Sequence, residues 1–175
     1  MKQRSTKQTS KARPANVPRP RVYLDSTIPS VYFDERDSIR FEIENTRRWW
    51  REESQNYEIW VSPATLAEVE DGDYPRQQEV VDFGDELPLL PPSPTVDALA
   101  DLYIQNLVMP RKHLGDAWHL AYATFHGFDF LLTWNCNHLA NANKRRHLEN
   151  VNKGAGYLTP QIVTPLELFR ESENL

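Results

Sequence analysis

The sequence predicts a three-layer α/β/α sandwich on a mainly parallel central sheet. Short apolar runs of strand length alternate with longer helical patterns along the chain. The 175 residues, of which 39% are hydrophobic and 26% charged, are typical of one soluble globular domain. The longest unbroken apolar run is Leu120–Ala123, whereas a helix needs about 20 apolar residues to span a bilayer, so we expect no membrane protein.

Each predicted element has a local sequence cause. Strand-length apolar runs, rich in β-branched and aromatic residues, occupy Val22–Leu24, Ile59–Val61, Leu87–Leu90, Phe130–Trp134 and Gln161–Val163. Pro88 weakens the third run and favours an edge position for it. Caps, prolines and apolar periodicity predict helices over about Arg36–Glu53, Ser62–Gly72, Pro75–Gly84, Thr95–Asn106, Gly115–Phe125, Asn135–His147 and from Pro165 onward. The clearest start has Ser62 as N-cap and Pro63 at the first helical position.

Residues 1–20 form a basic segment ahead of a domain over residues 21–175. Residues 1–21 carry seven basic groups and no acid, and the rest carries 13 basic and 25 acidic groups, so +7 and −12 give the net charge of −5. With three prolines and almost no large apolar side chains, we expect this segment to be a disordered tail. Contact with nucleic-acid phosphates and a mitochondrial-type presequence stay open as alternatives.

Composition also excludes several kinds of site. The single cysteine, Cys136, excludes an internal disulfide framework and any multi-cysteine zinc site. Cys136 has no evident basic partner, so we expect a buried thiol. The six glycines form neither the dinucleotide-binding pattern nor a P-loop, so the sequence gives no sign of either nucleotide site.

Parallel strands would bring oxygen-bearing side chains from distant segments to one edge of the sheet. Asp25 ends the first strand and Asn135 follows Phe130–Trp134, so both belong at the carboxyl edge, where open α/β sheets bind ligands. Asp116 lies in the first turn of a connecting helix, and such a helix begins at that edge. Glu68, less than two turns into its helix, can reach the edge as well. We therefore expect these four side chains to converge.

Converging carboxylates repel one another, and burial raises their pKa values unless a cation compensates them. Mg²⁺ prefers oxygen ligands and commonly uses one or two carboxylates together with substrate phosphate. A bound divalent ion can polarise a phosphodiester and lower the pKa of the attacking water. The chemistry indicated is hydrolysis of a nucleic-acid backbone.

Four segments carry a resemblance to a known family. They are Val22–Thr27, Ser62–Val69, Gly115–Ala121 and Leu131–Asn135. In this order and spacing they resemble the PIN domain and, more narrowly, the ribonuclease toxins of VapC-type toxin–antitoxin pairs. Each segment alone is a weak indication, because short acid-bearing strings are common. The resemblance covers about residues 21–169 and leaves the basic tail outside.

The resemblance implies an endoribonuclease that depends on Mg²⁺ or Mn²⁺ and leaves a 3′-hydroxyl and a 5′-phosphate. It implies the catalytic residues Asp25, Glu68, Asp116 and Asn135, of which the three acids bind the metal. The family often has aspartate where Asn135 stands, and the lost charge favours one tightly held ion. A homodimer, a cognate antitoxin that covers the acidic cleft, RNA as substrate and a cytoplasmic location are also implied. Hydroxyl donors to the carboxylates would be Ser26, Thr27 and Thr133.

Each candidate residue also has a structural interpretation. Asp25 could cap the following turn, Asp116 could be a first-turn acid favoured by the helix dipole, and Glu68 could be solvated. Asn135 could simply start a helix. The three hydroxyls could equally be ordinary capping groups. His119 could share a helix face with Asp116 as a ligand pair, but a packing histidine is favoured.

Aromatic and basic residues leave similar alternatives. Trp118 and Trp134 could stack on unpaired RNA bases, although core packing is favoured. The runs Lys144–Arg146 and Arg47–Arg48 could bind RNA phosphates or form solvated basic faces. Because the body carries −12, affinity for RNA would have to come from local patches, the tail or the metal.

Two other functions are weighed against the ribonuclease. The asparagine at position 135 favours a catalytically weak PIN-like module that binds RNA or a protein partner. An aspartyl-phosphate hydrolase that uses Asp25 would need a second acid two residues later, and Thr27 stands there instead. The aspartyl-phosphate hydrolase is therefore disfavoured.

Overall fold

A four-stranded parallel sheet with helices on both faces forms the protein. The computed structural model describes residues 18–73, 76–109 and 114–170. Their strands and α-helices are β1 (Arg21–Leu24), α1 (Thr27–Phe33), α2 (Arg40–Glu52), β2 (Glu58–Trp60), α3 (Pro63–Asp71), α4 (Gln77–Asp85), α5 (Pro94–Gln105), α6 (Leu114–Phe125), β3 (Phe130–Leu132), α7 (Ala142–Ala155) and β4 (Gln161–Val163). Short 3-10 helices cover Asp37–Ile39, Ser54–Asn56 and Pro165–Leu168.

The strand order creates a switch point in the middle of the sheet. The order is β2-β1-β3-β4 and all neighbours are parallel. Val22 lies between Ile59 on one side and Phe130 on the other, and Leu132 pairs with Val163. After β1 the chain adds β2 on one side of the central pair of strands, and after β3 it adds β4 on the other side. A crevice for ligands is expected at the carboxyl ends of these two central strands.

Alternation along the strands produces two hydrophobic cores, one on each face of the sheet. Tyr23, Leu131 and Ile162 point to one face, where they pack against residues of α5, α6 and α7. Leu24 and Leu132 point to the other face, against residues of α1 and α2 that include the fully buried Trp49. The three-layer α/β/α sandwich predicted from the sequence is confirmed.

The first half of the chain contains one helix that was not predicted and one predicted strand that does not form. Helix α1 was not predicted, because its sequence is rich in β-branched and aromatic residues and contains Pro29. Proline is tolerated there because it lies in the first turn of the helix, where no intrahelical partner for its nitrogen is needed. Leu87–Leu90 is not a strand: a single bridge joins Val61 to Leu89, and two prolines follow Leu90.

Three predictions in the second half also need correction. The helix predicted over Asn135–His147 begins only at Ala142, because Asn141 is the N-cap and its side chain accepts a hydrogen bond from the backbone of Asn143. Turns occupy the residues before it. Cys136 lies in those turns and is exposed rather than buried. The segment from Pro165 forms one short 3-10 helix.

Some predictions fall outside the described residues. Residues 1–17 of the basic tail and Pro75, the predicted start of a helix, belong to that group. The last part of the tail is described, and the carbonyl of Pro20 accepts a hydrogen bond from the backbone of Glu58 at the start of β2. Among the helices of the described ranges, none combines the length and the apolar character required to cross a membrane.

Asp34, which ends α1, carries a prediction for stability. Its buried carboxylate accepts hydrogen bonds from the backbone and guanidinium of Arg36, at 2.5–3.0 Å, and these bonds lower its pKa. Asp34→Asn should reduce the free energy of unfolding at pH 7 by about 1–3 kcal/mol, because hydrogen bonds to a charged group are lost. Urea unfolding measures the change, with the exposed Asp37→Asn as control.

The sign of the pH dependence follows from the lowered pKa. The carboxylate of Asp34 stabilises the fold fully above its unfolded pKa of about 3.9, and the stabilisation is lost as the pH falls through the folded value. The difference between the wild type and Asp34→Asn should therefore shrink in acid. A difference that stays constant down to the acid transition would contradict this role.

Candidate active site

Asp25 lies at the carboxyl end of β1 and is 1% exposed. Its Oδ1 accepts hydrogen bonds from the backbone nitrogen of Thr27, at 3.0 Å, and from the Thr27 hydroxyl, at 2.5 Å. Its Oδ2 accepts a hydrogen bond from the hydroxyl of Thr133, which follows β3. The carboxylate is thus fixed between the two central strands, at the switch point of the sheet.

Asp116 and Asn135 join the same cluster from α6 and from the turn after β3. The Asn135 side-chain amide donates to Asp116 Oδ1 at 2.7 Å. The Asn135 backbone nitrogen donates to the Thr133 hydroxyl at 2.8 Å, and that hydroxyl donates to Asp25. A continuous chain of hydrogen bonds therefore connects two acids that are 91 positions apart in the sequence.

Glu68 reaches the cluster from α3, through different partners. Its Oε2 accepts a hydrogen bond from the Ser26 hydroxyl and lies 2.9 Å from His119 Nε2. His119 Nδ1 lies 2.7 Å from the hydroxyl of Tyr23, which is completely buried within the sheet. The Tyr23 hydroxyl also contacts Ser62 Oγ at 2.6 Å. Because Ser62 caps α3, this network fixes the start of the helix that carries Glu68.

His119 is the basic group of the cluster. Burial alone would lower its pKa, but the hydrogen bond and charge of Glu68, together with the charges of Asp25 and Asp116, raise it. Burial alone would raise the pKa of Glu68, but the hydrogen bond from His119 and its charge outweigh burial and lower it. Both shifts favour an ion pair in which Nε2 of a protonated ring donates to Glu68 and Nδ1 donates to Tyr23.

The pKa of Asp25 is raised, unlike that of Glu68. Burial is the main cause, and it outweighs the opposing effects of the His119 charge and of the hydrogen bonds from Thr133 and Thr27. A buried carboxylate of this kind gains from an additional nearby positive charge. A further positive charge close to Asp25 would therefore favour the ionised form of its carboxyl.

Gly115 allows Glu68 to approach α6 closely. A Cβ atom at position 115 would lie 1.6 Å from Glu68 Oε1, so any larger residue would force the carboxylate to move. The sequence predicted Gly115 as the start of a helix and as the first residue of the segment Gly115–Ala121. Its steric role depends on the contact between α3 and α6, which the sequence pattern does not show.

The cluster is not a closed metal centre as it stands. Within the described ranges, no group of three His, Cys, Asp or Glu side chains is positioned to hold one metal ion. Glu68 Oε2 is already bound by Ser26 and His119. The donors fit Mg²⁺ in chemical type, since they are carboxylate oxygens, but the cluster would have to rearrange around an ion.

An open cleft of about 420 Å³ adjoins the cluster between α3 and α6. Its walls are mostly small apolar residues of the two helices. Glu68, Trp118 and Tyr122 complete the lining. Trp118 donates its indole N–H to Asp97, and Trp134 donates its own to Thr46. Both tryptophans pack partly against the cores, as the core-packing interpretation predicted.

Comparison with known proteins leaves the family open. No protein-family model matches the sequence, and none of the curated proteins matches it. The resemblance to PIN domains therefore stays a prediction that depends on the four segments named above.

The structure places all the predicted site residues in one region but distributes them differently from the expectation. Asp25, Asp116 and Asn135 are connected through Thr133, whereas Glu68 pairs with Ser26 and His119. Packing had been favoured for His119, and hydrogen bonding at both ring nitrogens shows a polar role instead. Its position three residues after Asp116 was the only available signal. Tyr23 was missed because a tyrosine inside a strand usually indicates core.

Proposed function

We propose that this protein is a ribonuclease that depends on Mg²⁺ or Mn²⁺, resembles VapC-type PIN-domain toxins and acts within a toxin–antitoxin pair. The observation that supports it is that Glu68 binds the buried His119 while the charges of Asp25 and Asp116 act on the same ring, at the switch point of the sheet. A cognate antitoxin, a homodimer and a cytoplasmic location belong to the same proposal. They follow from the resemblance alone.

Asp25, Glu68 and Asp116 would hold the ion. When bound, a divalent ion would stabilise charge on the phosphodiester and make water more acidic. Thr27 and Thr133 hold Asp25 in one orientation by hydrogen bonds to both of its oxygens. Asn135 orients Asp116 in the same way through Oδ1. Release of Glu68 from its bonds would bring its carboxylate to the ion.

The chain's own groups also provide a path for the proton of the attacking water. Glu68 and Asp116 are the carboxylates available to accept it, and Glu68 is the more exposed of the two, with 38% of its side chain accessible. His119 lies directly against Glu68 and can stabilise its charge before the reaction. General-base assistance of this type contributes about 10²–10⁴-fold to a rate.

The experiment that tests the proposal is incubation of the full chain with structured RNA. We expect cleavage with Mg²⁺ or Mn²⁺, no cleavage with a chelator, and recovery when the metal is restored. Products with 3′-hydroxyl and 5′-phosphate ends would support metal-assisted hydrolysis. Cleavage that persists in the chelator would contradict the proposal.

A second candidate function is a catalytically weak module that binds RNA or a protein. The neutral Asn135 and the bonds that already hold Glu68 favour it. Under this alternative, RNA is bound in the same assay but stays intact with either metal. The two functions are therefore separated by one experiment.

Gly115→Ala provides a matched test of the position of Glu68. The new Cβ would displace the Glu68 carboxylate, and a misplacement of about 1 Å can cost about 10²-fold in rate. Movement of Glu68 away from His119 should lower the stability, and the preference of helices for alanine over glycine, about 1 kcal/mol, offsets part of that loss. Thermal melting checks that the variant stays folded. Gly154→Ala is the control, since a Cβ there meets nothing within 4 Å. Equal cleavage rates for the two variants would contradict the role of Glu68.

A further inference from the structure

The two basic runs of the sequence differ in how the fold uses them. Arg47 donates to the carbonyls of Tyr32 and Asp34, and Arg48 pairs with Glu52, so both are engaged in the structure of α1 and α2. No ion pair between described residues includes any member of Lys144–Arg146. The second run therefore keeps its charge available for a ligand.

Two members of that run line a recessed cavity of about 160 Å³ beside the edge strand β4. Lys144 and Arg145 stand at its wall, together with one acidic residue, Glu149. Arg146 is not among the lining residues. The wall of the cavity thus carries two positively charged side chains and one carboxylate.

The floor of the cavity is apolar and belongs to the core. Leu139, Leu148 and Ile162 are at most 7% exposed and line it together with Met109. A cavity of about 150 Å³ with such a lining accepts one benzene ring. The volume here therefore suits a single six-membered ring and is small for a fused pair of rings.

The cavity and the acidic cluster share one short turn of the chain. Asn135, whose side chain binds Asp116, accepts a hydrogen bond at its backbone oxygen from the nitrogen of Ala140, at 2.9 Å. Its side-chain oxygen accepts another from the nitrogen of His138, at 3.1 Å. His138 and Ala140 both line the cavity. Asn135 therefore connects the wall of the cavity to the acidic cluster.

We infer that this cavity is a nucleotide subsite, in which a pyrimidine base occupies the apolar floor and a backbone phosphate binds Lys144 and Arg145. Thr159 and Gln161 line the cavity and supply polar groups for the edge of the base, whereas the side chain of Asn141 is already bound to Asn143 and Asn137. The inference rests on the proposed function for the direction of the RNA strand. If the subsite exists, the substrate is single-stranded RNA with a pyrimidine beside the cleaved bond.

Binding of short RNA in the presence of a chelator tests the inference without cleavage. Fluorescence anisotropy would compare oligouridine with oligoadenosine on the full chain. We expect oligouridine to bind more tightly. Arg145→Glu should weaken its binding about tenfold and reduce the salt dependence, because a phosphate contact is lost.

Arg146→Glu is the matched control, since it makes the same charge change on the next residue of the same helix, outside the cavity. It should weaken binding much less than Arg145→Glu. Lys144→Gln provides a second variant with a smaller change, in case Arg145→Glu does not fold. Equal losses for Arg145→Glu and Arg146→Glu, or no preference for uridine, would overturn the subsite.

These outcomes are distinct from failure of the ribonuclease. Binding of oligouridine that depends on Arg145, in a protein that never cleaves RNA, would support the subsite and contradict the enzyme. Metal-dependent cleavage that Arg145→Glu leaves unchanged for pyrimidine-rich and purine-rich RNA would support the enzyme and overturn the subsite. A wild-type chain that binds no RNA would overturn it as well.

Discussion

Asp116→Asn is expected to lower the rate of metal-dependent RNA cleavage by at least about 10²-fold, because Asp116 is a proposed ligand of the ion and even changes to the partners of such ligands cost about 10–100-fold. The substitution removes a negative charge from the cluster while it keeps the shape of the side chain. An amide oxygen at this position can still accept the hydrogen bond from Asn135. Single-turnover cleavage of a labelled RNA, with Mg²⁺ or Mn²⁺, measures the effect.

The control for this variant is Asp101→Asn, which removes an exposed carboxylate from α5. It should cleave RNA at the wild-type rate. Thermal melting of both variants separates loss of chemistry from loss of folding, and we expect little change in Tm for either. Wild-type cleavage by a folded Asp116→Asn protein would contradict the role of Asp116 and leave the binding module as the better function.

His119→Leu is expected to destabilise the fold. The ring is 1% exposed and binds Glu68 on one side and Tyr23 on the other. Removing one partner of a fully buried ion pair costs about 3–5 kcal/mol. Because Glu68 is partly exposed to water, we expect about 2–3 kcal/mol here. That corresponds to a Tm lower by about 4–12 °C for a chain of this size.

The effect of His119 should depend on pH in a defined direction. Its pKa is raised in the folded protein, so its charged form stabilises the fold fully below the unfolded pKa of about 6.5. This stabilisation is lost as the pH rises through the folded pKa. The difference in unfolding free energy between the wild type and His119→Leu should therefore decrease on the alkaline side.

His119→Gln is the conservative variant, because an amide can donate a hydrogen bond to Glu68 without carrying a charge. It should recover part of the lost stability and show a weaker pH dependence than the wild type. Urea unfolding measures both, over a pH range that starts below the unfolded pKa of about 6.5 and extends well above it. Equal stability of the wild type and His119→Leu throughout would show that the ion pair contributes nothing.

The strands and the main acids were predictable because their causes are local. Hydrophobic runs identified all four strands of the described ranges, and the parallel arrangement then placed Asp25 and Asn135 at the same edge. Ser62 and Pro63 marked the start of α3 as expected. Helix caps and short-range hydrophobic patterns were therefore sufficient to predict most of the fold.

The secondary-structure predictions failed where the local sequence allowed more than one structure. Asn135, Asn137, Asn141 and Asn143 can all cap a helix, and only the fold selects Asn141. In Thr27–Phe33, a proline and β-branched residues hide a helix that packing against α2 and α4 stabilises. Propensity was overridden by tertiary contacts in both cases.

The arrangement of the cluster could not be predicted, because it depends on contacts between distant helices. Nothing in the sequence indicates that Glu68 approaches Gly115, or that His119 lies between Glu68 and Tyr23. The cavity beside β4 is also a product of packing, since its lining comes from three separate parts of the chain. The sequence could indicate which acids lie in one region, but the hydrogen bonds and ion pair among them required coordinates.

Binding of Mn²⁺ at the acidic cluster is the property on which the proposed chemistry depends. The most direct test is a crystal of the protein soaked with Mn²⁺, with the ion located by its anomalous scattering. We predict a peak bound by Asp25 and Asp116, with Glu68 turned away from Ser26 and His119 toward the ion. A well-ordered cluster without such a peak, with the bonds of Glu68 intact, would contradict it.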